Sequence, residues 1–197
     1  MRLLTYNIRE GGVGRAEQIA EVIKAASPDV VALQEARDPA VVEQIAKLAG
    51  FKQWGSRVSH STGFLSNIPV TAHAWRHPPR TRHALLEVAL ADGYPRLFVV
   101  HLRAWFSKWS ERSRTRELRG LMDGIKEQLE KEHRAFAFHL FAGDFNALAP
   151  DEKRAVMSVN EATIAVVTFS IIRYRPTTSR MEVRMAMMTA QSLSSVQ

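Results

Sequence analysis

The amino-acid sequence predicts a mixed α/β fold in one domain, and three observations support this prediction. Apolar runs of strand length alternate with segments of helical periodicity over the first 50 residues. Residues 51–100 form short alternating segments that Gly, Pro and Asn interrupt, which is typical of antiparallel strands. A long helical pattern over residues 107–132 then precedes a further short apolar run at 138–142.

The first 50 residues predict the order strand, helix, strand, helix. Residues 3–7 suit a short strand, and a Gly-rich turn leads from it to apolar residues that recur at helical spacing over 16–23. The continuous apolar run at 30–33 suits a strand that is buried on both faces. Asp38-Pro39 is a favourable helix start, and the apolar stripe of this second helix continues to Gly50.

Composition excludes several classes of protein. The 197 residues include 27 Lys and Arg against 20 Asp and Glu, a formal net charge of +7, and 46% are hydrophobic, so the chain is neither an acidic disordered tail nor a linker. Cysteine is absent, which excludes disulfides and thiolate chemistry. No apolar run reaches the roughly 18–20 residues that span a bilayer, and the N-terminus does not suit a secretory signal. We therefore expect a soluble, cytoplasmic monomer whose basic excess favours an anionic partner.

Polar side chains follow four of the predicted strands, at the point where each strand ends. They are Asn7, Gln34 with Glu35, His101, and Asp144 with Asn146. Each alone also suits an ordinary structural role, such as a turn residue, a hydrogen-bonded core histidine or a loop carboxylate. Together they predict a single site at one edge of the sheets.

These residue types fit the in-line hydrolysis of a phosphate ester. Glu35 offers the hard oxygen ligand that suits Mg²⁺, which binds one or two carboxylates together with waters and substrate phosphate. Asp144 suits the orientation or deprotonation of a water, while Asn7 and Asn146 suit neutral contacts to phosphate oxygens. His101 suits hydrogen-bond donation to the charged pentacovalent phosphorus centre.

Five short blocks together resemble the endonuclease/exonuclease/phosphatase (DNase I-like) family. In chain order they are Leu4-Thr5-Tyr6-Asn7, Val31-Ala32-Leu33-Gln34-Glu35, Gly63-Phe64-Leu65-Ser66, Val100-His101-Leu102 and Gly143-Asp144-Phe145-Asn146. The resemblance covers about residues 1–152 and implies a four-layer α-β-β-α sandwich of two packed mixed sheets flanked by helices. It also implies a divalent metal ion, normally Mg²⁺ or Mn²⁺.

The resemblance assigns a role to each matching residue. It implies that Glu35 binds the metal ion and that Asn7 supports the metal or the phosphate. His101 would face the scissile phosphate, Asp144 would position the attacking water, and Asn146 would hold the phosphate. The family acts on DNA, RNA, lipid and sugar phosphates, so the resemblance does not define the substrate.

The chain departs from the family pattern in its last part. Family members continue with an Arg-hydrophobic-Asp-Tyr strand and a Ser-Asp-His block whose histidine is essential, whereas no histidine follows His139 here. Arg180-Met181-Glu182-Val183 is a short match to a degraded form of the first motif. We expect residues 1–152 to form the family domain and residues 153–197 to be its divergent or truncated C-terminal part. Truncation, a frame disruption and real divergence are alternative origins of this part.

Two basic segments are candidates for substrate contacts. Residues 102–120 hold six basic and two acidic side chains, and Arg103 and Trp105 suit contacts to phosphates and to bases. Arg82 lies in a second basic, Pro-rich segment that would flank the same cleft. Both segments also suit a solvated surface without such a role.

Two functions of different classes follow from the sequence. The first is a hydrolase of phosphate esters, a phosphodiesterase, nuclease or phosphatase dependent on Mg²⁺ or Mn²⁺, with nucleic acid favoured by the basic excess. The alternative is a non-catalytic protein that binds nucleic acid or a phosphorylated ligand on the same scaffold, since the terminal histidine is absent. A damaged product without settled function is a third possibility.

Overall fold

The computed structural model describes residues 1–78, 81, 84–102, 108–132, 139–144, 167–171 and 184–188. These residues form three α-helices and ten β-strands. The helices are α1 (Ala16–Ala26), α2 (Pro39–Ala49) and α3 (Lys108–Lys131). The strands are β1 (Leu3–Asn7), β2 (Val30–Gln34), β3 (Gln53–Gly55), β4 (Thr62–Ser66), β5 (Val70–Arg76), β6 (Leu85–Leu90), β7 (Arg96–His101), β8 (His139–Asp144), β9 (Val167–Ile171) and β10 (Arg184–Met188).

The strands form two mixed sheets. The first has the order β1-β2-β4-β3, in which β1 and β2 are parallel and the other pairs are antiparallel. The second has the order β10-β9-β8-β7-β6-β5, in which β7 and β8 are parallel and the other pairs are antiparallel. Within the described residues each sheet contains one parallel pair, and Asn7, His101 and Asp144 lie at the ends of these paired strands.

Three apolar clusters define the layers of the fold. One lies between the first sheet and helices α1 and α2, where Ile23 packs with Val31 and Leu33. The second lies between the two sheets, and the third lies between the second sheet and α3. Because side chains alternate across a strand, Val30 and Ala32 face the second sheet while their neighbours face the helices. The expected four-layer α-β-β-α sandwich is confirmed, as is a β2 strand buried on both faces.

The helix boundaries follow from local chemistry that the sequence displays. At the start of α2, the Asp38 carboxylate accepts hydrogen bonds from the main-chain N–H groups of Ala40 (3.0 Å) and Val41 (3.4 Å). Gly50 ends this helix in the left-handed conformation, with φ at 78°, which glycine adopts without a steric penalty. The predicted long helix at 107–132 is confirmed as α3.

The C-terminal region contributes to the second sheet. Strand β9 pairs with β8, and β10 pairs with β9. The segment Arg180-Met181-Glu182-Val183 lies outside the described residues. The run predicted at 138–142 corresponds to β8, which extends to Asp144 because its parallel pairing with β7 continues to the end of that strand. Among the described residues, no helix combines the length and the apolar character that crossing a membrane requires.

A buried carboxylate joins three strands and the end of α3. Glu87 on β6 is only 5% exposed, and its side chain forms ion pairs with Arg76 on β5 (2.5 Å) and with Arg96 on β7. The same Arg96 nitrogen also contacts Glu132, just after α3, at 2.8 Å. Arg96 is itself mostly buried, so its positive charge depends on these two carboxylates for compensation.

We expect Glu87→Ala to lower the free energy of unfolding by about 3 kcal/mol, because it removes one partner of a largely buried ion pair. Urea unfolding monitored by circular dichroism measures this loss. The control is Glu43→Ala, which breaks the exposed pair with Lys47 in α2 and should cost only about 0.3–0.5 kcal/mol. Equal losses in the two variants would contradict a structural role for the Glu87 network.

Candidate functional site

The candidate site lies at one end of the sandwich, where the apolar layer between the sheets gives way to polar side chains. The parallel strands β1 and β2 end there side by side at Asn7 and Gln34. The parallel strands β7 and β8 of the other sheet end with His101 opposite Asp144. The structure therefore brings together side chains that are up to 137 residues apart in the sequence.

Asn7 connects the two sheets through one atom. Its side-chain nitrogen Nδ2 donates hydrogen bonds to Glu35 Oε1 at 3.1 Å and to Asp144 Oδ2 at 3.0 Å. Its oxygen Oδ1 accepts from the main-chain N–H of Arg9 at 2.9 Å. Because an amide nitrogen only donates and an amide oxygen only accepts, this arrangement directs the nitrogen toward both carboxylates.

Glu35 is held from two sides. It directly follows β2 and has φ at 57°, an uncommon conformation for a residue with a side chain. Its second oxygen, Oε2, accepts from the main-chain N–H of Glu10 at 2.8 Å. Burial raises the pKa of Glu35, but the hydrogen bonds from Glu10 and Asn7 and the charge of Arg37 outweigh it, so the pKa lies below its ordinary value. The Glu35 side chain is therefore ionised at neutral pH.

Gln34 has a structural part in the site. It is 1% exposed, and its Nε2 donates to Thr5 Oγ1 at 3.0 Å and to the Ala32 carbonyl at 3.1 Å. These bonds satisfy a polar side chain inside the inter-sheet layer, directly below Asn7 and Glu35. Gln34 thereby fixes the ends of β1 and β2 next to each other. None of these contacts involves Glu35 or Asp144.

His101 is an imidazole buried beside the carboxylates. Burial lowers its pKa, although the carboxylates of Asp144 and Glu35 act in the opposite direction; Arg37 adds to the lowering. Because the pKa stays below its ordinary value of 6.5, the ring is neutral at neutral pH. A neutral imidazole offers one N–H donor and one acceptor nitrogen.

Gly143 lets the strand that carries Asp144 approach β7 closely. A Cβ atom at this position would lie 1.9 Å from the carbonyl oxygen of Val100, a contact that no side chain tolerates. Just beyond, the Leu102 N–H donates to the Asp144 carbonyl at 2.8 Å. The glycine before Asp144 thus sets the separation between His101 and the carboxylate opposite it.

Four predicted site residues lie outside the described residues: Arg82, Arg103, Trp105 and Asn146. The other four, Asn7, Glu35, His101 and Asp144, are brought together. Sequence reasoning missed the main-chain N–H groups of Arg9 and Glu10, because a main-chain donor leaves no signature in residue type. The Gly-rich turn after Asn7 was the available signal, and it predicted only a turn.

The donor set favours a hard divalent cation. Within the part of the chain that the structure describes, no three His, Cys, Asp or Glu residues are arranged to hold a metal ion. Two carboxylates placed around one amide nevertheless fit Mg²⁺, which binds proteins through one or two carboxylates and otherwise through waters and phosphate oxygens. Each oxygen of Glu35 accepts one of the hydrogen bonds described above, and a carboxylate oxygen has a second lone pair that can bind a cation.

Two packed mixed sheets with the polar residues at one end of the sandwich define a protein of the DNase I-like fold class. The family model described as "Endonuclease/Exonuclease/phosphatase family" matches residues 4–169, and the chain belongs to this family. The comparison with curated proteins gave no match.

Solved structures with the same fold include humanized D. rerio TDP2, which is 24% identical with a TM-score of 0.57, covering 76% of this chain and 63% of that chain. D. rerio TDP2 complexed with a single-strand DNA product is 24% identical with a TM-score of 0.57, covering 76% and 62%. An endonuclease/exonuclease/phosphatase from Beutenbergia cavernae is 22% identical with a TM-score of 0.57, covering 77% and 50%. The chain therefore spans between half and two thirds of the length of these proteins, and the likeness shows the fold.

We expect His101 to make the stability of the metal-free protein fall on mild acidification. Its pKa is lowered in the folded state, so its contribution is present above the unfolded value of 6.5 and is lost as the pH falls toward the folded value. Urea unfolding between about pH 7.5 and 5.5 should give a steeper loss in the wild type than in His101→Gln. One proton limits the difference in slope to about 1.4 kcal/mol per pH unit.

Glu35 acts in a separate pH range. Its lowered pKa makes its contribution disappear only as the pH falls below the ordinary value of 4.5, so it does not obscure the His101 effect. Nuclear magnetic resonance of the His101 ring gives an independent check, since its titration midpoint should lie below 6.5. A midpoint above that value would contradict the dominance of burial.

Proposed function

We propose that the chain is a divalent-metal-dependent hydrolase of phosphate esters that acts on phosphodiesters. One observation carries this proposal: the Asn7 amide nitrogen holds carboxylates from both sheets, at 3.1 and 3.0 Å, next to a buried imidazole. Membership of the endonuclease/exonuclease/phosphatase family supports the same class of reaction.

Glu35 would be the principal protein ligand of the Mg²⁺ or Mn²⁺ ion, with waters and substrate phosphate completing its shell. Glu35 suits this part because its pKa is lowered, so that it is ionised without a cation. When bound, a divalent cation polarises a phosphoryl oxygen and offsets the negative charge that develops on phosphorus. Asn7 remains a proposed support of the metal or phosphate, and its nitrogen donors suit the positioning of the two carboxylates.

The chain's own residues supply positioning and proton transfer. Asp144 is a carboxylate beside the space between the sheets, and it would orient a water and accept its proton during in-line attack. His101, neutral because burial lowers its pKa, would donate its ring N–H to a non-bridging phosphoryl oxygen. We propose that Asn146 holds the phosphate and that Arg82, Arg103 and Trp105 contact the flanking substrate.

We propose single-stranded nucleic acid as the substrate class. The net charge of +7 favours a polyanion. A protein with the same fold, D. rerio TDP2, has been solved with a single-strand DNA product, which supports this choice over a lipid or sugar phosphate.

Hydrolysis of bis-p-nitrophenyl phosphate and of an end-labelled single-stranded oligonucleotide, each with Mg²⁺ or Mn²⁺, tests the activity. Glu35→Gln and Asp144→Asn should each lower kcat/KM by at least about 100-fold, because each removes a charged group from the reacting centre. Glu43→Gln on the exposed face of α2 is the control. Turnover that survives both site variants would overturn these roles, and tight binding of the oligonucleotide without any turnover would identify a non-catalytic binding protein.

Metal binding should also be visible without substrate. A cation that binds only the folded state stabilises it, by about 2.7 kcal/mol at 100 times its Kd, so millimolar Mg²⁺ or Mn²⁺ should raise Tm modestly. The rise should shrink in Glu35→Ala and persist in Glu43→Ala, whose carboxylate lies on α2. A wild-type melting curve that does not change up to ~20 mM metal, beyond the range of weak oxygen-ligand sites, would argue against the site.

A further inference from the structure

The loop between β1 and α1 donates main-chain hydrogen bonds to the candidate site. Two of its main-chain N–H groups orient the two side chains on which the site depends. Arg9 N–H donates to Asn7 Oδ1 at 2.9 Å, and Glu10 N–H donates to Glu35 Oε2 at 2.8 Å. The direction of the Asn7 amide and the direction of the Glu35 carboxylate are therefore both set by the path of this loop.

The backbone conformation of this loop is unfavourable for two of its residues. Arg9 and Glu10 both have φ at 49°, a region that residues with a Cβ rarely adopt. Gly11 and Gly12 continue with φ at 73° and 71°, which glycine allows. Two consecutive strained residues persist only where the surrounding structure over-determines their conformation.

Arg15 supplies that determination. Its guanidinium nitrogen Nη2 donates to the carbonyls of Ile8 and Arg9, both at 2.7 Å, immediately before and within the strained turn. Its main-chain N–H donates to the Gly12 carbonyl at 3.0 Å, at the end of the turn. The two guanidinium hydrogen bonds have a charged donor and are therefore of the stronger kind. Together with the main-chain bond they span the loop from one end to the other.

We propose that Arg15 is a positioning residue of the hydrolytic site: it clamps the loop so that Arg9 and Glu10 present their N–H groups to Asn7 and Glu35. The proposal rests on the proposed function, in which these two side chains form the cation site. In the contacts above Arg15 binds only main-chain carbonyls, so it acts on the site through the loop.

A purely structural role for Arg15 makes a different prediction. If it only anchored the start of α1, its loss would lower Tm and leave the affinity of the folded protein for a cation unchanged. If it clamps the loop, its loss leaves Glu35 without a fixed N–H partner and with a freer orientation. Removing groups that orient a metal ligand typically weakens metal affinity 10- to 100-fold.

The test measures Mn²⁺ affinity by electron paramagnetic resonance, which detects free Mn²⁺, alongside Tm without metal and the kinetics on bis-p-nitrophenyl phosphate. Arg15→Ala should raise the Mn²⁺ Kd at least about tenfold.

Arg15→Lys should recover part of the affinity, because an ammonium group can also donate to two carbonyls. Millimolar guanidinium ion should restore affinity to Arg15→Ala, since position 15 is exposed and accessible to it. Lys24→Ala, which removes one positive charge from the last turn of α1, should match the wild type.

The outcomes separate this proposal from the proposed function. Arg15→Ala with reduced Tm but wild-type Mn²⁺ affinity would overturn the clamp. If the wild type binds no Mn²⁺, the proposed function fails, and the clamp is then judged from the side-chain amide signals of Asn7 in nuclear magnetic resonance of the metal-free protein. Loss or broadening of these signals in Arg15→Ala, but not in Lys24→Ala, supports the clamp, and unchanged signals contradict it.

Discussion

The candidate site depends on one amide group that links two sheets. Asn7 Nδ2 donates to carboxylates carried by both of them, so their separation is correct only when the sheets are packed in one way. The apolar layer between the sheets, which includes Ala32 and Val99, fixes that packing. Without the amide, the carboxylates of Glu35 and Asp144 would repel each other in a partly buried space. The core and the site are therefore two consequences of the same inter-sheet contact.

Most elements of the fold could be predicted because their signals are local. The period of the apolar residues, the Asp38 cap and the glycine at position 50 act within a few residues, and the structure confirms them. The pairing of strands could not be predicted in this way. The parallel pairing of β7 with β8 depends on the close approach of Gly143 to Val100, and these two residues are separated in the chain by α3. The sequence shows the glycine but not the strand that it contacts.

The site shows the same division between residue type and environment. Glu35, His101 and Asp144 were predicted as site residues because each is a polar residue at the end of an apolar strand, and the structure places them together. Gln34 also follows an apolar strand, but its buried side chain donates a hydrogen bond to Thr5. Its structural role is evident only from that contact. The N–H donors of the loop were invisible for a deeper reason: every residue except proline has one, and its use depends entirely on conformation.

The electrostatics of the site support the cation that we propose for it. Burial acts on the pKa values of Glu35 and His101, but it prevails only at His101; at Glu35 the hydrogen bonds from the Glu10 N–H and Asn7 outweigh it. Glu35 thus keeps its negative charge at neutral pH, while the nearby imidazole carries no positive charge to offset it. A phosphate ester is itself an anion, so it meets repulsion at this point unless a positive charge lies between the two. In the function that we propose, Glu35 would hold a divalent cation that supplies this positive charge. The charge of Glu35, which disfavours a bare phosphate at this end of the sandwich, is therefore an argument for the proposed metal ion.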